Sequence, residues 1–116
     1  MDEDLITIFD RGIDSLVKLD LLMLFDANPD LVDTSRAIAG RLARDLREVE
    51  PALQALAGSG LVERFELGSG RYVLYAHAKS QHTRATIRKL SYTYHRDEKG
   101  RIQIIKKLMG VPDHPS

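Results

Sequence analysis

One stretch constrains this chain more than any other: Ala52 to Tyr75, ALQALAGSGLVERFELGSGRYVLY. A helical spacing of apolar residues gives way, across Gly58 and Gly60, to two β-rich runs. Leu61 to Leu67 and Arg71 to Ala76 carry Val62, Phe65, Tyr72, Val73 and Tyr75, and Gly68-Ser69-Gly70 divides them. β-branched and aromatic residues favour extended backbone, and the glycine triplet supplies the positive φ of a tight turn. The expectation is a helix capped by Gly60 in the left-handed conformation, followed directly by a β-hairpin.

The residues upstream read as three helices. Asp14 is the expected N-cap of the first. Leu16, Val17, Leu19, Leu21, Leu22, Leu24 and Phe25 are too dense for one surface stripe, so it should be buried on most sides. Asn28-Pro29-Asp30 ends it, because a residue preceding proline is pushed out of the helical region. Thr34 or Ser35 opens a second, short helix with Ile38, Ala39 and Leu42 on one face and Arg36, Arg41 and Arg44 on the other. In the third, Asp45 and Glu48 fit a capping box, and Val49, Ala52, Leu53 and Leu56 repeat at helical spacing. Pro51 is harmless there if the regular helix starts near Arg47 or Glu48, where backbone amides are free.

The order helix, helix, turn, helix, hairpin resembles the winged helix-turn-helix regulators of the ArsR and MarR type. The run from Ala52 to Tyr75 is similar to the segment that closes their recognition helix and builds the wing, and TSRAIAGRL, Thr34 to Leu42, to their positioning helix. The resemblance spans residues 14–77. It implies an α+β, mainly α, fold: a three-helix core with a β-hairpin wing, plus C-terminal helices. Residues 1–13 form an N-terminal arm, where Leu5, Ile6, Ile8 and Phe9 make either a helical turn or an arm that packs on a partner. Residues 78–110 form C-terminal helices that dimerise, and residues 111–116 a loose tail. It also implies a transcriptional regulator that binds double-stranded DNA as a homodimer.

Within that reading each element has its residues. The second helix of the motif lies in the major groove. Arg47 and Gln54 are its base readers, suited to guanine and adenine respectively. Ser35, Arg36, Arg41 and Arg44 hold phosphates, and Arg71, beside the glycine turn, reaches the minor groove. Against this stand Asp45, Glu48 and Glu50, acids at the start of the reading helix that phosphates repel. They favour an alternative: a winged-helix protein-interaction module that has lost DNA binding and meets a basic partner around Glu48, Glu50 and Pro51.

Charge enters here. The 116 residues carry 17 Lys/Arg and 17 Asp/Glu, a formal net charge of zero. Its distribution is uneven: net −7 over residues 1–33, +1 over 34–77 and +6 over 78–116. Either the two ends neutralise each other in the fold or across a dimer, or the basic end faces a polyanion. Ile102, Ile105, Leu108 and Met109 favour the dimer, because a lone terminal helix cannot leave them all in water. Asp2, Glu3, Asp4 and Asp10 would then complement the basic terminal helix across a two-fold axis.

The remaining signals are sparse. No catalytic constellation, phosphate loop or dinucleotide fingerprint appears, so an enzyme is not expected. The chain has no cysteine, which excludes thiolate metal sensing, and no cofactor or metal is expected. His77, His82, His95 and His114 lack helix-borne metal spacing and read as surface residues; the alternative is an N/O site completed by a partner's carboxylates. Tyr72, Tyr75, Tyr92 and Tyr94 either line a small effector pocket or are half-buried packing. The acidic N-terminus does not read as a signal peptide, and the longest apolar run, Leu21 to Phe25, is far too short to span a bilayer. A cytoplasmic protein is the expectation.

Overall fold

The computed structural model describes residues 1–111. Over these the chain forms α1 (Glu3–Asp10), α2 (Leu16–Ala27), β1 (Val32–Asp33), α3 (Ser35–Leu42), α4 (Leu46–Gly58), β2 (Val62–Leu67), β3 (Tyr72–His77), α5 (Gln81–Arg96) and α6 (Glu98–Met109). The expected tail falls outside the described residues beyond Val111.

α2 is the central helix. Leu19, Leu21, Leu22 and Phe25 are fully buried because α2 packs against both α4 and α5, which explains its lack of a single apolar stripe. Its cap is Ser15, whose hydroxyl accepts from the Lys18 amide; Asp14, the expected cap, instead pairs with the Lys18 ammonium at 2.8 Å. Thr34 caps α3 through the Ala37 amide, and Ile38 and Ala39 face the core. Ala43, in the left-handed region at φ 53°, makes the turn from α3 into α4.

α4 buries Val49, Ala52, Leu53 and Leu56, the expected face. It starts at the expected cap, and Pro51 therefore lies inside the helix. Asp45 caps by accepting from the Arg47 amide, so the helix begins at Leu46 and Pro51 falls in the second turn. The Arg47 carbonyl thereby loses its helical donor. The helix ends as expected: Gly60 adopts φ 74°, and the Leu61 amide returns to the Leu56 carbonyl at 2.9 Å.

The hairpin forms where the glycine triplet predicts it. β2 and β3 pair from Val62↔His77 to Leu67↔Tyr72, and β1, not foreseen, adds Val32↔Ala76 and Asp33↔Tyr75 on the far side of β3. The antiparallel order is β1-β3-β2. At the base, Val62, Tyr75, Ala76 and His77 are buried. The outer half projects with Phe65, Leu67 and Tyr72 exposed.

The first thirteen residues are more regular than an arm. Leu5, Ile8 and Phe9 of α1 are buried within the same chain, where α1 packs on α5. Asp2 and Asp4 pair with Lys89 of α5 at 2.8 and 3.6 Å. Part of the acidic end is thus neutralised inside the fold. The buried face of α5 is Thr83, Thr86, Ile87 and Leu90, while Ala85 is exposed. The threonine hydroxyls are satisfied: Thr86 donates to the His82 carbonyl, and Thr83 accepts from Arg11. Asp97 alone separates the last two helices: it ends α5 and caps α6 through the Gly100 amide. Gly100 lies inside α6, where a Cβ would collide with the Thr93 methyl.

Candidate nucleic-acid interface

The residues expected to contact DNA lie on α3, α4, the turn between them and the hairpin, but are not presented alike. Ser35 opens α3, half-buried, while Thr34 does the capping. Arg36 and Arg41 are exposed on α3, Gln54 on α4, and Arg71 at the hairpin turn. Among the described residues none of these three arginines forms an ion pair.

Arg44 behaves differently. Its guanidinium turns inward to the Asp20 carboxylate of α2, with Nε at 3.1 Å, and also donates to Glu48 at 3.0 Å. Asp20 is the main cause of the upward shift of its pKa. Arg44 ties α2 to the start of α4 and is not displayed like its neighbours, because Asp20 and Glu48 both engage its guanidinium. This also corrects the capping box. Glu48 spends its carboxylate on Arg44 rather than closing back on the Asp45 amide.

Arg47 is fully displayed, its side chain 91% accessible. Its guanidinium lies against the Asp45 carboxylate, with Nη2 2.8 Å from Oδ2 and Nε 3.2 Å from Oδ1. The Arg47 guanidinium, bonding to it, holds the Asp45 carboxyl below its ordinary value, helped by the Arg47 amide. Of the three acids at the start of α4, then, Asp45 and Glu48 have arginine partners. Glu50 has none among the described residues. Arg64, on the wing, is likewise engaged, by Glu66 at 2.8 Å.

Other sequence candidates do not converge. Tyr75 is in the core, whereas Tyr72 and Tyr92 are exposed, so the tyrosines do not build one pocket. His77, expected at the surface, is 3% exposed, stacked on Phe25, and accepts the Ala78 amide at Nδ1. It lines an open cleft of about 330 Å³ between α2, β3 and α5, with Asp26, Gln81, Arg84 and Arg88. Sequence gave no sign of that burial, since His77 closes a strand next to the basic segment. Among the described residues no group of three or more His, Asp or Glu side chains could hold a metal ion, and no helix is long and apolar enough to cross a membrane.

Three helices around a core, the second pair joined by a tight turn and followed by a three-stranded sheet with a projecting hairpin, define a winged helix-turn-helix fold. Two solved structures of Lactococcus lactis ZitR, a single-substitution and a double-substitution variant, share it. They superpose with TM-scores of 0.56 and 0.55 at 18% and 19% identity, covering 82% and 84% of this chain. The chain spans 62% of the length of either. No family model matches the chain, and no curated protein matches it.

Proposed function

We propose that this protein is a transcriptional regulator of the winged-helix type, acting in the cytoplasm, that binds double-stranded DNA as a homodimer and performs no chemistry on it. The observation that carries this reading is the placement of Arg36, Arg41 and Arg71, exposed and without acidic partners among the described residues, on either side of α4. In a helix-turn-helix those positions face phosphates on both flanks of the groove that the second helix enters. The acids that argued against DNA are partly spent on Arg44 and Arg47, which leaves Glu50 as the main local repulsion. Ser35 adds a hydroxyl at the start of α3, and Arg47 and Gln54 read bases.

The dimer rests on α6. Ile102 is 47% and Met109 71% exposed, with Ile105 half-buried between them on one face, and Tyr92 of α5 is 67% exposed. Such a strip on a basic helix is covered most simply by its own copy. Gel shifts of the purified protein on duplex DNA over a range of salt test the reading. Binding that weakens linearly in log salt supports it; no binding at low salt, where the phosphate contribution is largest, overturns it.

A second reading follows from the wing, whose Phe65, Leu67 and Tyr72 are exposed where a DNA-binding wing needs cations. Together with Glu50 and Pro51 on α4 they suit a protein partner. Charge reversal at Glu50 that abolishes a stable protein complex while leaving duplex affinity unchanged selects this alternative.

A further inference from the structure

We propose that Asp45 is a specificity-determining residue: it positions the Arg47 guanidinium so that only its outer edge is offered to a base, and that base is guanine. The inference rests on the DNA-binding reading and deepens it. Asp45 occupies one edge of the guanidinium, formed by Nε and one side of Nη2, at 3.2 and 2.8 Å. The opposite edge, shared by Nη1 and the other side of Nη2, has no partner among the described residues. That free edge is a planar pair of parallel donors, which matches the two major-groove acceptors of guanine, O6 and N7.

Position and stiffness both follow from the cap. Asp45 is the N-cap of α4, its Oδ1 bonded to the Arg47 amide at 2.8 Å, so the carboxylate is anchored to the backbone that carries the arginine. A side chain with several free rotors loses conformational entropy when it engages a base. Here the same carboxylate that starts the helix holds the guanidinium in one plane beforehand. Arg47 also stands at the second position of α4, the N-terminal end that enters the groove in this fold. The acid therefore acts on DNA through the arginine, even though on its own it repels phosphate.

The test is selection from a duplex library with a randomised core, followed by affinity measurements on the selected site and on the same site with each guanine replaced. Asp45→Ser keeps a good helix cap but is too short to reach the guanidinium. It should lower the preference for guanine at one position of each half-site by about ten-fold, within what a bidentate arginine contact supplies. Arg47→Ala should abolish that preference, and the double variant should lose no more than Arg47→Ala alone. If Asp45→Ser tightens binding to all sequences equally and leaves the guanine preference intact, Asp45 is only a repulsive acid and the inference is wrong. An additive loss in the double variant overturns it too. Wild-type protein that binds no member of the library at low salt removes the DNA-binding reading itself, an outcome distinct from either.

Discussion

Arg11 donates through Nη2 to the carbonyl of Ser59, 2.8 Å away, and so joins the end of α1 to the residue that terminates α4. Its Nη1 reaches Thr83 Oγ1 at 3.1 Å, adding the start of α5 to the same knot. The space is tight: a Cβ on Gly60 would stand 3.1 Å from Arg11 Nη2, and one on Gly12 3.3 Å from Ser59 Oγ. The N-terminal helix is thus latched to the exit of the helix that should read DNA.

Arg11→Ala should destabilise the protein by roughly 1–3 kcal/mol, since it leaves a part-buried carbonyl and a buried hydroxyl without their charged donor. Chemical denaturation monitored by circular dichroism checks this. Gly60→Ala should cost about 1 kcal/mol or more, because the residue must keep its left-handed φ of 74° beside that guanidinium. A variant as stable as the parent at either position would show that the latch carries no weight.

The arginines of α3 and its following turn should separate into two groups. Arg36→Ala and Arg41→Ala should weaken duplex binding on all sequences and flatten the salt dependence by about one unit each, with little change in stability. Arg44→Ala should do the reverse. It should lower stability by about 1 kcal/mol, the pair with Asp20 being only partly shielded from water, while the salt slope stays put. Parallel gel shifts and melting curves distinguish the two patterns.

His77 makes stability depend on pH. Burial is the main cause of its lowered pKa, with Arg84 and then Arg88 adding to the effect and Asp26 opposing it. A base whose folded pKa lies below its unfolded value takes up its proton more readily when unfolded, so acid favours unfolding. The contribution is complete above the unfolded value near 6.5 and is lost as pH falls from there through the folded value. His77→Gln should flatten the fall in unfolding midpoint on the acid side of neutrality. An unchanged slope would show that His77 does not set it.

On α6, Ile102→Glu and Met109→Glu place charges in the apolar strip without disturbing Ile104, which faces the core. Sedimentation equilibrium should show the proposed dimer shifting toward monomer by at least ten-fold in dissociation constant, while the far-ultraviolet spectrum is retained. A monomeric parent protein would remove the strip as a dimer surface.

Some of this was readable before any coordinates. Val49, Ala52, Leu53 and Leu56 all point inward because helical spacing leaves them no other common face, and Gly68 to Gly70 mark a turn few other residues could make. What escaped reading is what depends on distant partners. A strand of two residues, Val32–Asp33, has no period to detect; β3 recruits it. Thr83 and Thr86 look like surface residues until Arg11 and the His82 carbonyl satisfy them. Arg44 shares its composition and spacing with Arg36 and Arg41, yet Asp20, twenty-four positions earlier, takes it out of the exposed row. In α1 the spacing of Leu5, Ile8 and Phe9 was helical all along, masked by the acids between them.

The junction at Asp97 has a mechanical side. One residue closes α5 and opens α6, with no intervening chain to absorb a change in length. Inserting a single residue there would change the angle between α5 and α6, because Asp97 alone, in extended backbone, sets it, and would move Ile102 and Met109 relative to the rest of the molecule. In a symmetric pair that change would re-aim both copies of α4 at once. If the proposed dimer forms through α6, the spacing of its two halves is set by the length of chain allowed at Asp97.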